Sequence, residues 1–574
     1  MFKHSLLALA ITTISAQSVY AAPFMPMDAR GLAMGNTGVA SAKRAHAPAY
    51  NPSLLSQANE NDDFSFLFPQ IGLSLTDEKS VIDEAQHIND DIFPDFEKYA
   101  TDGDPATGTK SLQQNVDDLL QNIKTLENIN IDVNSLQSKD DLLNALGKLK
   151  AGTQAIQKST AAVQGNFGDI NNTVQELTAS LRKVSDNPLS GRLGVAGVVA
   201  VPSKTFAVAV SATGTVNFSA KIKLANNDLD LLDAYVPAAN GFVTAAETAT
   251  GTINTSLDTL EEQINTTDFN DPAAVNAAKI DFTKAKNDVK ASANTLKGHN
   301  SAEVPALGYK DNSNHALGYK SIIQNGEFTD AASSPELSST AEVVAVGVTD
   351  IGLSFSREFE IAEQKIAFGI TPKIQKIFTA HYGNELDNFE DVDSDVIDES
   401  RKDYSAFNLD VGASYRFGED GNWMVGTVVK NLLGGEYNYV DITVIPTDSN
   451  GVPNGVPYTL DGGKVSLSPQ VRGGIAYLSK YLNVAFDLDL LKNDSLAYES
   501  ATQYASLGAE LDLWGWFQLR GGYRTNLAAS GLDSVSAGFG ISPFDTLHLD
   551  LAAVTNPDKW EKEAGVALEM GLNF

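Results

Sequence analysis

Apolar and polar residues alternate one by one along much of the C-terminal third of the chain. The last ten residues, 565–574, show this most clearly, because every second residue is large and apolar and those between are small or polar. The apolar set is Val566, Leu568, Met570, Leu572 and Phe574. Successive side chains of a β-strand point to opposite faces, so the pattern predicts a strand with one apolar and one polar face.

Similar segments recur along the chain and make fourteen strand candidates, five before Tyr404 and nine after it. The segment 343–355 changes phase near Asp350, which predicts a β-bulge. The first segment contains Pro69, an unusual residue inside a strand. The candidates are 64–75, 191–201, 206–218, 343–355, 366–378, 407–417, 423–429, 465–477, 482–490, 506–513, 517–524, 534–541, 547–551 and 565–574.

The connections between these segments sort by length when the strands run alternately up and down. The short turns all fall at one end, at Pro202, Glu358, Gly418, Ser479, Trp514 and Pro543. The long connections all fall at the other end, at 76–190, 223–340, 379–405 and 441–463. An even strand number with loops sorted in this way is typical of outer-membrane barrels, whereas a soluble sheet gives no reason for it. The predicted fold class is an all-β transmembrane antiparallel barrel of about 14 strands, with its long loops outside the cell.

The two longest connections follow a helical period instead. Apolar residues recur at spacings of four and three, which predicts amphipathic helices with coiled-coil-like seams. The seams are Leu112, Val116, Leu119, Ile123 and Leu126; Val163, Phe167, Ile170, Val174, Leu177, Leu181 and Val184; Ile253, Leu257, Leu260 and Ile264; and Val275, Ala278, Phe282, Ala285, Val289 and Leu296. We expect these helices to pack on each other as an extracellular cap; the alternative is a surface that binds another cell or a pilus component.

The polar faces of the predicted strands should point into the barrel lumen. The residues concerned carry charges of both signs: Asp410, Arg416, Arg472, Asp487, Asp489, Glu510, Asp512, Arg520, Arg524, His548, Asp550 and Glu569. Mixed charges either line a wet pore or form a salt-bridged filling, and the sequence leaves both open.

The N-terminus has the form of a secretory signal peptide. Lys3 and His4 precede a short apolar run, and small residues follow it. We expect cleavage after Ala21 rather than Ala22, because the later cut would leave Pro23 as the first residue.

Composition narrows the function classes. The formal net charge is −32, which argues against nucleic acid as a partner. The chain contains no cysteine, so it has neither disulfides nor thiolate chemistry. No apolar run beyond the N-terminus is long enough for a transmembrane helix, so a membrane could be crossed only as a barrel.

The sequence lacks the common motifs of enzymes. The sequence has no His-x-x-x-His, no Walker loop and no Gly-x-Ser-x-Gly. His548 and Asp550 share a predicted lumen face, but no serine nucleophile is placed beside them. The acidic stretch Asp391-Val-Asp-Ser-Asp395 resembles a solvated loop more than a Ca²⁺ site, since it lacks the glycine and terminal glutamate of an EF-hand. We therefore predict no catalytic activity, no cofactor and no metal.

The segment that follows the predicted cleavage site resembles part of a known family. The combination Ala29-Arg30, Met34-Gly35, Val39-Ala40 and Asn51-Pro52-Ser53 resembles the N-terminal signature of outer-membrane barrels related to the long-chain fatty acid transporter FadL. Within that group, the helical insertions are similar to those of barrels named conjugal transfer proteins of the TraF type. The resemblance implies that the segment 23–57 lies inside the barrel as a plug, with Ala29, Arg30, Met34, Gly35, Asn51 and Pro52 as its motif. A tail ordered against the barrel rim is the alternative.

These observations divide the chain into a signal peptide (1–21), a plug (22–57), a first strand (58–75), a helical insertion (76–190), a hairpin (191–222), a second insertion (223–340) and the remaining strands (341–574). The expected location is the Gram-negative outer membrane, with lipid and the barrel assembly machinery as partners and Phe574 as the assembly signal. One functional hypothesis is passive transport of a hydrophobic small molecule. The alternative is a surface interaction protein for conjugation or cell contact, which uses the helical insertions to bind an extracellular partner protein.

Overall fold

The structure of the protein is a computed structural model that describes residues 24–57, 63–298, 302–305, 319–324, 327–328, 339–386, 399–446, 453, 456–543 and 546–573. Fourteen strands close into one barrel, in which each strand pairs antiparallel with the next along the chain and the last pairs with the first. The predicted fold class and strand number are confirmed. The predicted signal peptide, the acidic stretch 391–395 and Phe574 lie outside the described residues.

The barrel strands are β1 Ser65–Thr76, β2 Leu189–Val201, β3 Ala207–Lys223, β4 Thr340–Ile361, β5 Gln364–Glu385, β6 Arg401–Phe417, β7 Trp423–Lys430, β8 Gln470–Leu478, β9 Leu482–Asp489, β10 Tyr504–Leu513, β11 Phe517–Asn526, β12 Ser534–Ile541, β13 Leu547–Thr555 and β14 Glu563–Asn573. The connections sort as predicted. We call the two ends of the barrel the short-turn end and the long-loop end. The tightest turn, Ala362-Glu363 between β4 and β5, has positive φ at both residues (52° and 66°), as hairpin geometry requires.

The predicted bulge at Asp350 is wrong, and a different strand carries one. The pairing of β4 with β3 and with β5 keeps one register throughout. Apolar residues shift to the inward phase of this strand near its long-loop end. Val344 and Val346 point into the lumen there and pack against loops that fold into the barrel. The register shift that does occur lies in β1, between Leu67 and Gln70, around the proline that made this strand unusual.

The outer face of the barrel is apolar. In β14, Val566, Leu568, Met570 and Leu572 are all exposed, whereas Glu569 between them is fully buried in the lumen. The same outward phase recurs in other strands, for example at Leu507 in β10. A continuous apolar exterior suits a lipid environment. Among the described residues, no helix is both long enough and apolar enough to cross a membrane.

The N-terminal segment lies inside this barrel. It contains helix α1 (Ala29–Ala33), a 3₁₀ turn (Arg44–His46), helix α2 (Ala47–Tyr50) and a second 3₁₀ turn (Pro52–Gln57). Almost every residue from 24 to 57 is buried, although the segment is too short to form a core of its own. Its burial comes from the barrel wall, and we call this segment the plug.

The long-loop end carries a helical cap. Its elements are α3 (Val81–His87), α4 (Phe93–Glu97), α5 (Leu112–Glu127), α6 (Lys139–Val184), α7 (Asn226–Thr266) and α8 (Pro272–Gly298), with π turns at Ile88–Ile92 and Lys98–Asp102 and a 3₁₀ turn at Val133–Ser135. The 46-residue α6 is roughly 70 Å long at about 1.5 Å per residue. It begins with a capping box in which Ser138 Oγ accepts from Asp141 N (3.1 Å) and the Asp141 carboxylate accepts from Ser138 N (3.0 Å).

The helices α5 to α8 pack on each other around a buried aliphatic core. Leu119, Leu149, Leu257 and Phe282 come from four different helices and are each fully buried in this core. Polar contacts join the helix surfaces, and Lys150 of α6 pairs with Asp258 of α7 at 2.5 Å. The expected packing of the insertions on each other is therefore present.

Smaller elements complete the long-loop end. Two short hairpins, Glu436–Asn438 with Lys464–Ser466 and Ile442–Val444 with Tyr458–Leu460, form within the loop between β7 and β8. Strands Ala302–Pro305, Tyr319–Gln324 and Glu327–Phe328 form a separate three-stranded sheet. At the base of the cap, the Lys183 ammonium lies 2.8 Å from Glu84 and its hydrogen bond lowers the pKa of that carboxylate.

Candidate functional site

The plug crosses the lumen at the level of a ring of wall glycines. A Cβ placed on Gly522 of β11 would lie 2.1 Å from the backbone nitrogen of Gly35. A Cβ on Gly369 of β5 would lie 2.3 Å from the backbone nitrogen of Ser53. Backbone atoms cannot move aside as a flexible side chain can, so these positions need glycine. Other wall glycines that the plug approaches closely are Gly72, Gly194, Gly412, Gly426, Gly508 and Gly538.

Helix α1 is tied to the wall by a line of alternating charges. Arg30 Nε lies 3.0 Å from Glu510 Oε2 of β10, and Arg520 Nε of β11 lies 2.8 Å from the same oxygen. Arg520 Nη1 continues to Asp550 Oδ1 of β13 at 2.5 Å. All four side chains are buried, and we call them the ion-pair chain. Burial makes each charge depend on its partner, because an unpaired buried ion is strongly destabilising.

Side chains of the wall form hydrogen bonds with the turn that follows α1. Asp487 Oδ2 of β9 accepts from the backbone N–H groups of Gly38 (2.8 Å) and Val39 (3.0 Å). Asn36 accepts at its backbone oxygen from Arg472 Nη1 (3.3 Å) and at Oδ1 from Arg524 Nη1 (2.7 Å). Each arginine is fixed in turn by a carboxylate of the wall: Arg472 by Asp489 at 2.6 Å and Arg524 by Glu563 at 2.6 Å.

The Asn51-Pro52-Ser53 motif docks on the opposite wall. Asn51 Nδ2 donates to Val39 O within the plug (3.0 Å) and to Ala413 O of β6 (3.2 Å), while its Oδ1 accepts from Ser53 Oγ (2.7 Å). Ser53 Oγ also lies at a hydrogen-bonding distance of 2.9 Å from Ser414 Oγ. One turn later, Ser56 Oγ and Ser356 Oγ of β4 are 2.7 Å apart. Asn51 therefore joins the two halves of the plug to each other and to the wall.

A second buried polar group lies beside the ion-pair chain. His46 Nε2 of the plug is 2.7 Å from Glu569 Oε1, and Gln70 Nε2 donates to Glu569 Oε2 at 2.7 Å. His548 Nε2 contacts Asp550 Oδ2, and His548 Nδ1 lies 2.8 Å from Ser542 Oγ. Within the plug, Tyr50 donates to Asp28 Oδ1 at 2.6 Å.

Open space remains in the lumen on both sides of the plug. On the long-loop side lies a cavity of about 160 Å³, which we call the outer cavity. Its lining combines apolar and polar residues, among them Phe24, Met27, Val195, Val198, Val348, Leu467, Gln70, Asp350, Lys373, Asp410 and Lys430. On the short-turn side lies a larger space of about 510 Å³, which we call the inner vestibule. Its lining is mostly polar and includes Lys43, His46, Arg416, Asp512, Arg520 and His548.

The residues singled out in the sequence fall into two groups. The first group lies in the plug and contacts the wall or the rest of the plug: Ala29, Arg30, Met34, Gly35, Asn51 and Pro52. The second group lies on the lumen face of the wall and contacts or supports the plug: Arg472, Asp487, Asp489, Glu510, Arg520, Arg524, His548 and Asp550. Arg416 differs, because it stands near the short-turn end and donates from Nη2 to Gln57 O at 3.3 Å. The sequence left open whether the lumen charges line a wet pore or form a salt-bridged filling. At the level of the plug they are paired with each other, as in a filling.

Sequence reasoning missed the glycine ring. Its members stand in the lumen-facing phase of their strands, at positions where the alternation leads one to expect a polar side chain. Gly508, Gly522 and Gly538 occupy that phase on three successive strands. A glycine repeated in the inward phase of neighbouring strands was the available signal that another backbone passes there.

A closed antiparallel barrel with an apolar exterior and its own N-terminal segment across the lumen defines a plugged barrel of the outer-membrane type. The chain belongs to the family described as "F plasmid transfer operon, TraF, protein", whose family model matches residues 48–136 and 132–489. The TraF-type resemblance stated from the sequence is thereby confirmed. No curated protein sequence matches the chain.

Among solved structures, the chain is similar to several hydrocarbon channels at low identity. These include the toluene transporter TodX of Pseudomonas putida (8% identity, TM-score 0.40, covering 96% of this chain and 99% of that one). They also include the toluene transporter TbuX of Ralstonia pickettii (9%, TM-score 0.39, 96% and 98%) and the monoaromatic hydrocarbon channel CymD (9%, TM-score 0.32, 96% and 98%). These scores are too low for a conclusion about function.

Proposed function

We propose that this protein is a passive channel for small hydrophobic molecules in the Gram-negative outer membrane, reached after cleavage of its signal peptide, and that displacement of the plug opens it. The observation that carries the proposal is the presence of an outer cavity and an inner vestibule in one lumen with the plug between them. A solute that enters from the long-loop end must pass the plug before it reaches the short-turn end, which faces the periplasm.

The outer cavity suits a small, mainly apolar solute. Its volume is about 160 Å³, and a cavity of about 150 Å³ is enough for benzene. Phe24 and Met27 of the plug form part of its floor, so a bound solute touches the gate itself. The polar groups of the lining are partly engaged with each other, since Lys373 pairs with Asp350 (2.9 Å) and Asp410 (3.0 Å). Pocket walls of this mixed kind are typical of small-molecule sites.

The contacts that hold the plug favour a movable gate. Many of them are hydrogen bonds and ion pairs, for which water can substitute once the plug shifts toward the wet vestibule. A buried ion pair also contributes little net stability compared with an apolar contact of the same size, because desolvation offsets its attraction. The polar contacts thus set one specific position for the plug, in which apolar plug residues such as Leu32 and Leu55 also pack on the wall.

Two serine pairs allow the gate to be locked chemically. The pairs Ser53–Ser414 and Ser56–Ser356 bring side-chain oxygens of plug and wall to 2.9 and 2.7 Å. Replacing both members of a pair by cysteine places two thiols close enough to each other to test for a disulfide tether. Because the natural chain has no cysteine, the engineered pair is the only one present. The matched control is S190C with S219C, a cross-strand pair of β2 and β3 whose oxygens are also 2.7 Å apart but which does not touch the plug.

Whole-cell uptake of a radiolabelled monocyclic aromatic and of a medium-chain fatty acid is then measured in a knockout strain that carries each variant. Oxidised S53C/S414C should reduce uptake to the knockout level, reductant should restore it, and the S190C/S219C control should behave as the wild type. Full uptake through the oxidised plug tether, or an equal rate in the knockout and the wild type for both compounds, contradicts the proposal.

The cap supports a second function. It has a buried core of its own, and α6 alone is roughly 70 Å long at about 1.5 Å per residue, far more than is needed to cover a lumen. We propose that its surface binds an extracellular protein during conjugation or cell contact. Replacing 112–184 and 226–298 by short Gly/Ser linkers should abolish mating or attachment while the barrel still shows heat-modifiable migration on a gel. Normal transfer by this variant rules out the second function and leaves the channel proposal untouched.

A further inference from the structure

A smaller cavity lies next to the outer cavity, among the connections of the long-loop end. Its volume is about 50 Å³, and we call it the upper pocket. Four different outer connections contribute to its lining, at Glu78, Ser500, Leu532 and Lys562. The upper pocket therefore lies on the side of the outer cavity that faces away from the plug's docking sites and toward the long-loop end.

Two residues separate the upper pocket from the outer cavity, because each of them lines both spaces. They are Met25 of the plug and Arg192 of β2. Arg192 Nη1 lies 3.0 Å from Met25 Sδ, so the two side chains meet at the boundary. We call this pair the constriction.

The two members of the constriction are fixed to different degrees. Arg192 is anchored on the wall: its Nε donates to Oδ1 of its cross-strand partner Asn217 at 2.5 Å, and its Nη2 lies 4.0 Å from Glu499 Oε1. Met25 is half-buried and unbranched, and its thioether sulfur is only a weak hydrogen-bond acceptor. The Met25 side chain can therefore turn away at little cost, while Arg192 keeps its partners on the wall.

Another part of the boundary of the outer cavity is closed by apolar packing. Leu467 and Leu496 line the cavity and also belong to a buried apolar cluster with Val344 and Tyr437. The Tyr439 hydroxyl donates to Leu496 O at 2.6 Å and so joins the loop before β8 to the loop before β10. Opening this side would expose buried apolar side chains to water, which is unfavourable. The constriction opens by rotation of a single thioether side chain.

We propose that solutes reach the outer cavity through the upper pocket, and that Met25 and Arg192 limit the cross-section of the solutes that pass. The diameter of a pore at its narrowest point is a general determinant of selectivity. Here the anchored guanidinium forms one side of the passage and the adaptable thioether the other. This inference rests on the proposed channel function, to which it adds the entry route and the residues that select by size.

The route is tested with single cysteines, since the natural chain has none. S500C places a thiol in the upper pocket. The matched control is S466C, a half-buried position like Ser500, but on the short strand Lys464–Ser466 at the apolar side. Knockout cells that carry each variant are treated with a bulky, membrane-impermeant fluorescent methanethiosulfonate, and uptake of a radiolabelled monocyclic aromatic is measured before and after. Gel fluorescence gives the extent of labelling, and heat-modifiable migration verifies folding.

Modified S500C should lose uptake to the knockout level, and reductant should restore it. S466C, labelled to the same extent, should retain the uptake that it had before treatment. A Ser500 thiol that the reagent cannot reach from outside the cell overturns the proposal, as does full uptake by modified S500C or an equal loss in both variants. If S500C does not fold, E78C takes its place, because Glu78 also lines the upper pocket and accepts from Ser500 N at 3.0 Å.

The size limit is tested with Met25→Ala, which removes the movable side of the constriction. The ratio of bicyclic to monocyclic aromatic uptake should rise in this variant. Met570→Ala, which shortens a methionine on the outer face of β14, is the control and should leave the ratio unchanged. An unchanged ratio in folded Met25→Ala shows that the constriction does not select by size.

These experiments separate the inference from the channel proposal beneath it. Equal uptake by the knockout and the wild type removes the channel proposal, and the entry route with it. Uptake that depends on the protein but survives modification of S500C removes the entry route alone.

Discussion

The plug and the cap are both buried against other parts of the chain, yet by different chemistry. In the cap, leucine, isoleucine and phenylalanine side chains from four helices fill a common core. Between plug and wall, buried arginines pair with carboxylates and serine hydroxyls lie within hydrogen-bonding distance of each other. The plug backbone also packs closely on glycines of the wall. Two apolar clusters accompany these contacts, one that includes Leu55 and Met424 and one that includes Leu32 and Val554. The core of the cap is thus apolar, whereas the contact between plug and wall combines apolar packing with buried ion pairs and hydrogen bonds that fix the plug in one position.

The largest effect is expected from Glu510→Gln, which breaks the ion-pair chain at its centre. The change leaves Arg30 and Arg520 buried without their shared carboxylate, and loss of one partner of a buried pair costs about 3–5 kcal/mol. We expect a loosened plug in an intact barrel, seen as higher ion conductance in planar bilayers with unchanged heat-modifiable migration. The control is Glu436→Gln, which removes an exposed partner of Lys464 and should cost less than about 1 kcal/mol. If the Glu510 variant and the wild type have equal conductance, the ion-pair chain does not hold the plug in position.

A nearly equal effect, confined to the cap, is expected from Leu149→Ala. Leu149 is fully buried between cap helices, and such truncations cost about 2–5 kcal/mol through lost burial and the cavity left behind. The helical signal in circular dichroism should melt at lower temperature, while barrel migration and conductance stay as in the wild type. Ile280→Ala, at a position 61% exposed on α8, is the control and should leave the melt unchanged. A barrel that fails together with the cap would show that the two regions are not separable.

The smallest effect is expected from Gly522→Ala, which tests the contact without touching any charge. Its Cβ would lie 2.1 Å from Gly35 N, and crowding of this kind costs about 1–3 kcal/mol. The plug should shift and conductance should rise modestly. Gly521→Ala is a close control, since its Cβ would point to the other face, 3.9 Å from the nearest atom, and should have no effect. A rise in the control but not in Gly522→Ala would show that the wall glycines do not set the plug's position.

The parts of the fold that follow from local pattern could be predicted from the sequence. Strict alternation, as in β14, and the sorting of loop lengths are enough for the barrel, because side-chain direction in a strand depends only on its period. Spacings of four and three were enough for the cap helices. In each case the signal lies within one segment of chain.

The remainder depended on contacts between distant segments. Val344 and Val346 face inward because the loop between β7 and β8 folds back over the lumen, and nothing in β4 itself indicates this. The pairing of Arg30 with Glu510 joins residues 480 positions apart, and charge alone could not choose between a wet pore and a filled one. The inward glycines mark where the plug backbone passes the wall. This meaning could be recognised only once a second backbone was known to cross the lumen.

The long reach of the ion-pair chain also orders the events of biogenesis. The plug precedes all the strands along the chain, whereas its partners Glu510, Asp550 and Glu569 belong to the last five strands. Contacts of such high sequence separation form late, because the intervening chain must first be organised. The plug can therefore take its final position only after β10 to β14 have joined the sheet. Closure of β14 on β1 and filling of the lumen are in this way two parts of one final assembly step.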